Sequence, residues 1–202
     1  MSLELVNTVA TLGTFLVIAA TAMAAIVQLR HARSSNQIAA LNELIEVQQT
    51  PDYKAARHFV HTALPEMLKD PAFRFDLSRY ANEEKLNSEA EHHIAKITTI
   101  GDFYENMGLL VKRGFIDRDS TLDAWSYHVA TEWERLAPVV LRLRRGTAGN
   151  ALYENFEYLV VLAQDWMATY PKGTYPAGVR RIAIEDEWSE ADRQYAASSA
   201  TP

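Results

Sequence analysis

The side chains best suited to chemistry are charged, amide and aromatic residues on three stretches of helical pattern. They are Asp102, Tyr104, Glu105, Asn106 and Arg113, then Trp133 and Arg135, and finally Tyr153, Glu154, Asn155 and Glu157. Three antiparallel helices would bring them together, and an arginine there could bond a carboxylate through two parallel hydrogen bonds. One interpretation is a groove for a small ligand or a partner protein, lined by the aromatic rings.

The alternative interpretation is a network of salt bridges between helices that closes a hydrophobic core. Both interpretations stay open, because the spacing of the residues is the same in each. The sequence has no phosphate-binding loop, dinucleotide glycine fingerprint or nucleophile elbow. We therefore assign no catalytic residue and favour a protein that is not an enzyme.

Two pairs of residues that include histidine have the spacing of metal ligands, but the other residues of such sites are missing from the sequence. Glu89 and His92 lie one helical turn apart, yet a di-iron bundle needs a second such pair and two further glutamates. His58 and His61 lack the glutamate of the zinc-protease motif. We expect these histidines to be solvated or to cap helices, and we predict no metal and no cofactor.

Helices must position all of these residues, because apolar side chains recur at helical spacing along most of the chain. After a cap or hinge at residues 34–36, the pattern predicts helices over 38–48, 51–64, 82–114, 119–143 and 150–170. Pro71, Phe73 and Phe75 are assigned to a connecting stretch. The predicted fold is all-α, with a bundle of about four or five helices over residues 34–170. Residues 171–202 are predicted to form an irregular, partly acidic tail.

Composition excludes several classes of function. The 202 residues include no cysteine, which rules out disulfides, thiolate metal sites and a cysteine nucleophile and suits a reducing compartment. The net charge is −6, whereas sequence-independent binding to nucleic acid needs a basic face. We expect no nucleic-acid partner.

Residues 1–33 contain the longest apolar run, since no charged residue lies between Glu4 and Arg30. As a helix, residues 5–29 would extend about 37 Å, enough to cross the hydrocarbon core of a lipid bilayer. The alternatives are a signal peptide, which would begin with basic residues, and a buried helix, which rarely needs so long an uncharged run. We predict a single transmembrane anchor followed by a juxtamembrane segment.

The charges that flank this run predict its orientation. Glu4 precedes it, whereas Arg30, His31 and Arg33 follow it directly. Positively charged residues stay on the cytoplasmic side of a membrane, so we expect the C-terminal domain in the cytoplasm.

Small residues spaced four apart within the run could allow two anchors to pack closely. Such spacing favours a homo-oligomer or a membrane-protein partner. The competing interpretation is that these residues serve only as apolar filler. The pairs are Ala10/Thr14, Ala20/Ala24 and Thr21/Ala25.

Two stretches of the sequence resemble those of a known family. Residues 101–117 (GDFYENMGLLVKRGFID) and 153–159 (YENFEYL), with residues 133–136 (WERL) between them, resemble a bacterial domain-of-unknown-function family, the one numbered 4760. The resemblance extends over about residues 5–165. It implies an N-terminal transmembrane helix with a helical cytoplasmic domain at the bacterial inner membrane, and it brings no activity.

Taken together, these patterns predict a membrane-tethered cytoplasmic module for interaction or regulation. The alternative is a small-ligand receptor or an enzyme that uses the charged aromatic cluster.

Overall fold

The computed structural model describes residues 2–199, without the side chains of residues 5, 6, 9, 10 and 199. Within this range the chain forms eight α-helices and no β-strand, which confirms the all-α prediction. Met1 of the predicted anchor, the side chain of Ala10 and residues 200–202 of the predicted tail lie outside it. The helices are α1 (Leu3–Gln49), α2 (Pro51–Thr62), α3 (Leu64–Met67), α4 (Pro71–Ala81), α5 (Ser88–Lys112), α6 (Arg118–Leu143), α7 (Glu154–Thr169) and α8 (Ser189–Ser199).

Helix α1 runs through 47 residues without a break. The cap or hinge expected at residues 34–36 is wrong, because the helix continues through Ser34, Ser35 and Asn36. Their side chains are exposed to solvent, where such residues cost a helix only a few tenths of a kcal/mol each. Thr11–Gln49 is, within the described range, the one stretch long and apolar enough to cross a membrane.

The apolar first part of α1 and its last turns differ in how far their side chains are buried. Apolar side chains on all sides of the predicted span are exposed, including Phe15 at 67% and Ile18 at 62%. In contrast, Leu44 is 7% exposed and packs with Leu41 against the bundle. One helix therefore joins an uncovered apolar span to a packed core.

Short helices with strong caps follow α1. Thr50 ends α1 and begins α2, its hydroxyl accepting a hydrogen bond from the Tyr53 amide at 3.2 Å. The expectation that Pro71 lies in a connecting stretch is wrong, because Pro71 is the first residue of α4. The Asp70 carboxylate caps this helix by accepting from the Ala72 amide at 2.9 Å. Proline is favourable at that position, since the first helical amide lacks an intrahelical partner anyway.

The core lies between α5, α6 and α7, with α2 and α4 packed against them. Helices α5 and α7 approach closely because α5 presents Gly101 and Gly108 to α7. A Cβ atom at Gly101 would lie 2.7 Å from the Tyr153 ring, and one at Gly108 would collide with the Asn155 carbonyl. Glycine is therefore required where these two helices meet.

The boundaries of the long helices differ from the predictions by a few residues. Asn87 caps α5, which begins at Ser88 rather than near residue 82. Asp117 caps α6, which begins at Arg118. Pro138 lies inside α6 without ending it. Gly114 is the last residue of the predicted helix 82–114 and lies just beyond the end of α5. Its left-handed φ of 69° is the one that glycine favours at this position.

Residues 172–202 form a separate compact unit from residues 1–171. Residues 172–188 contain no helix, as predicted for the tail, but Ser189–Ser199 form α8. The Asp186 carboxylate accepts from the amides of Trp188 and Ser189, at 3.2 and 2.9 Å, just before this helix begins. This local cap is what the prediction of an irregular tail missed.

Candidate functional site

Glu105 of the predicted cluster caps the N-terminus of α7. One carboxylate oxygen accepts hydrogen bonds from the amides of Asn155 at 3.0 Å and Phe156 at 2.8 Å, and the other accepts from the Asn155 side chain at 2.7 Å. Tyr153, at the N-cap position, has a φ of 56° and provides no side-chain cap. The first amides of a helix lack intrahelical partners and carry partial positive charge. A carboxylate from α5 therefore supplies the cap that α7 lacks.

Asp102 pairs with Tyr153 beside this cap. The Tyr153 hydroxyl donates to the Asp102 carboxylate at 3.1 Å. Partial burial raises the pKa of Asp102, and the hydrogen bond from Tyr153 opposes that rise. Burial also raises the pKa of Tyr153, so its hydroxyl stays protonated and can act as the donor.

Ion pairs on the surface surround the α5–α7 contact. The Lys112 ammonium lies 3.0 Å from the side-chain oxygen of Asn155 and 3.3 Å from the Glu154 carboxylate. Arg144 approaches Glu157 to 2.7 Å. The exposed Lys112–Glu154 pair contributes about 0–1 kcal/mol, so it adds little to the contact. Arg144 is largely buried beside Glu157.

Of the remaining residues of the predicted cluster, Tyr104 and Trp133 meet at the ring of Phe156, whereas the two arginines lie elsewhere. Tyr104 stacks on Phe156 at a ring-centroid distance of 4.9 Å, and Trp133 meets the same ring edge-on at 5.0 Å. Arg135 donates to the His61 carbonyl at 3.3 Å, and Arg113 is exposed at the end of α5. The geometry favours the interpretation of these residues as helix caps, ion pairs and core.

Asp102 and Asn106 do line a groove, but with different neighbours from those predicted. It lies between the end of α1 and α5, measures about 470 Å³ and is lined mainly by apolar side chains such as Leu44 and Phe103. A groove shared by all the predicted residues stays a prediction.

A second polar cluster surrounds the fully buried side chain of Glu132 on α6. One of its carboxylate oxygens accepts a hydrogen bond from Arg57 Nε at 2.8 Å and lies 2.7 Å from His61 Nε2. Its second oxygen and Arg135 Nε are buried without a partner among the described residues. A buried carboxylate is costly unless it is paired, and here α2 supplies both partners.

This cluster extends into an open cleft of about 210 Å³, lined by Gln48, Gln49, Tyr53, Lys54, Arg57, Tyr104 and His128. The cleft lies where the end of α1 meets α2, α5 and α6. The hydroxyls of Tyr53 and Tyr104 lie 3.5 Å apart. Trp125, which does not line the cleft, fixes the Gln48 side chain, because the side-chain oxygen of Gln48 accepts a hydrogen bond from Trp125 Nε1 at 3.3 Å.

The charges of the cleft follow from these contacts. The hydrogen bond to Glu132 raises the pKa of Arg57, which is therefore a permanent cation. Desolvation, helped by the positive charge of Arg57, lowers the pKa of His128. Burial raises the pKa of both Tyr53 and Tyr104, so both hydroxyls remain neutral.

The histidine expectations need correction at His61. It was expected to be solvated or to cap a helix, but it contacts the buried Glu132 carboxylate. His58 is exposed, as expected. His93 stacks on Phe59 at 5.2 Å, with the two rings 11° from parallel. The pair at positions 58 and 61 therefore faces two environments.

Spacing on α2 was the signal that sequence reasoning missed. Tyr53, Arg57 and His61 recur every four residues and so lie along one face of the helix. His128 and Glu132 have the same spacing on α6. The pattern shows that each set shares a face, but it does not show that the two faces meet.

The family comparison covers most of the chain. Residues 15–166 match the model of a family described as "Domain of unknown function (DUF4760)". The chain belongs to this family. No curated protein and no solved structure matches it. The DUF4760 match begins inside the apolar part of α1 and ends in α7, so it includes both polar clusters and excludes α8.

Glu132→Gln should destabilise the bundle, because Arg57 and His61 would lose their carboxylate partner. We expect the free energy of unfolding to fall by about 1–3 kcal/mol, as for other hydrogen bonds to charged groups. Urea titration of the full chain in detergent, followed by tryptophan fluorescence, measures this. The matched control is Glu134→Gln, an exposed position on the same helix, which should change the value by less than about 0.5 kcal/mol. Equal effects would contradict a structural role for Glu132.

His128 should make the bundle less stable in acid. The pKa of His128 is depressed in the folded state, so the unfolded chain binds the proton more readily as the pH falls through 6.5, the ordinary pKa of histidine. The contribution of the neutral ring is complete above that pH and is lost below it. His128→Gln should therefore flatten the fall in the urea midpoint between pH 7 and pH 5. An unchanged slope, or an equal flattening in the exposed control His58→Gln, would contradict this assignment.

Proposed function

We propose that this DUF4760 protein is a membrane-tethered module for interaction or regulation, without catalysis of its own. Its helical domain lies in the cytoplasm of a bacterial cell, anchored by one pass through the inner membrane. A small-ligand receptor or enzyme built on the predicted cluster has less support, because Glu105 is used to cap α7 and Arg135 donates to the His61 carbonyl.

The continuity of α1 is the observation that carries the proposal. Its first part exposes apolar side chains on every side, which is typical of a helix in contact with lipid. Its last turns bury Leu44 in the bundle core. A domain joined to its anchor by unbroken helix is held at a set distance from the membrane. Such an arrangement suits a component that meets partners at the membrane surface.

A second copy of the chain is the partner that α1 favours. Ile38 and Ile45 are 58% and 44% exposed and lie seven residues apart, on one face of the helix. Val17 and Ala24 lie on the same seven-residue spacing towards the N-terminus, with His31 between Ala24 and Ile38. Apolar residues at this spacing form the seam of parallel helix pairs, and small residues allow close contact within the membrane. Two anchored chains are also already parallel.

The orientation can be tested by single cysteine substitutions, since the natural chain has no cysteine. A membrane-impermeant maleimide should label Ser2→Cys in intact bacterial cells. It should label the exposed Glu134→Cys only after lysis. This result follows from the arginines that flank the span on the domain side. The reverse pattern would invert the topology, and labelling of both in intact cells would contradict membrane insertion.

Self-association can be tested by oxidative cross-linking of Ile38→Cys in membranes. We expect a disulfide-linked dimer, because the two copies would meet at this face. Ala39→Cys is the matched control, since successive residues of a helix point about 100° apart. Cross-linking of both positions would indicate random collision, and cross-linking of neither would argue against a dimer along α1.

A further inference from the structure

The cleft at the end of α1 contains cationic groups without an acidic residue in its lining. Lys54 and Arg57 lie three residues apart on α2 and reach the same opening. Lys54 is exposed, and its ammonium makes no hydrogen bond or ion pair with the residues that the structure describes. Arg57 uses its Nε atom for Glu132, which leaves the far end of the guanidinium at the cleft, with Nη2 3.4 Å from His128. The Glu132 carboxylate offsets one of the two positive charges of Lys54 and Arg57. The cleft is therefore positive on a protein of net charge −6.

Neutral hydrogen-bond donors complete the lining. The Tyr53 hydroxyl donates to the Tyr104 hydroxyl at 3.5 Å, which leaves the Tyr104 hydroxyl proton for a ligand, and Gln49 also lines the cleft. A guanidinium and an ammonium together with hydroxyl and amide donors match the acceptors of an oxyanion.

Size limits the ligand. The cleft measures about 210 Å³, the volume of roughly seven water molecules, and is smaller than the pockets that hold drug-sized molecules. It therefore suits an ion of a few heavy atoms rather than a nucleotide.

The position of the cleft along α1 decides whether its ligand is a soluble ion or a lipid headgroup. Gln48 lies 19 residues beyond Leu29, the end of the predicted span. At the helical rise this corresponds to roughly 28 Å along the axis, well outside the headgroup layer. The ligand should come from solution.

We propose that this cleft binds a small soluble oxyanion, a phosphate or a short carboxylate, between Lys54, Arg57 and the two tyrosine hydroxyls. The bound ion would contact Gln48 and Gln49, the last residues of the helix that enters the membrane. The site thus lies at the joint between anchor and bundle. This inference goes beyond the tethering function, and only its choice of a soluble ion over a lipid headgroup rests on the proposed anchor.

Calorimetric titration of the full chain in zwitterionic detergent tests the site. Inorganic phosphate and succinate are the probes, in a buffer of low ionic strength because salt screens such contacts. We expect saturable binding of at least one probe, at one ion per chain, below roughly 10 mM. Lys54→Gln should weaken this binding roughly tenfold, and Lys54→Arg should retain most of it. Lys172→Gln, a charge-matched change outside the bundle, should leave it unaltered.

Three results would overturn the proposal. The first is no saturable binding of either probe, and the second is equal weakening by Lys54→Gln and Lys172→Gln. The third is binding only to vesicles that contain anionic phospholipid, which would assign the ligand to the membrane. Lys54 is the primary variant because it is exposed and unpaired, whereas Arg57→Gln also removes a contact to Glu132 that the fold uses.

Discussion

Helix α1 is exposed and apolar along its first part and packed against the bundle at its end, and the bundle is built from that packed end. The first half of α1 exposes apolar side chains and is apolar and long enough to cross a membrane, while its last turns bury Leu44 in a protein core. Hydrogen bonds along a helix are satisfied internally, so the chain can pass from one environment to the other without a break in its backbone. The bundle then begins where the helix ends, at the Thr50 cap, and α2 turns back onto the core from there.

Two polar arrangements in the bundle solve different problems. At the α5–α7 contact, Glu105 satisfies backbone amides that α7 leaves open, and glycines allow the two helices to meet. Between α2 and α6, Glu132 is buried among side chains and needs Arg57 and His61 to offset its desolvation. The first arrangement is complete, whereas the second leaves buried polar atoms unsatisfied beside an open cleft. That difference makes the second cluster the better place to look for a ligand.

Local signals predicted much of the fold, while contacts between distant residues were out of reach. Thr50 and Pro51 marked a helix boundary because capping acts within one turn, and Gly114 marked another because of its backbone freedom. Pro71 was misjudged, since its role depends on the preceding Asp70. For the site, Glu105 and Asn155 were both assigned to the predicted cluster and do form a hydrogen bond. The contact between α2 and Glu132 was not predicted. Glu132 lies 75 residues from Arg57, and spacing within a helix does not reveal which other helix its face meets.

The cap on α7 has a consequence for how the domain forms. A helix usually carries its own start signal, yet the residue before α7 has a left-handed backbone and provides no side-chain cap. The missing acceptor comes from Glu105, fifty residues earlier in the chain. The first turn of α7 is therefore completed only after α5 has docked, and the two helices gain and lose order as one cooperative unit. A peptide of α7 alone would lack the carboxylate that satisfies its first amides.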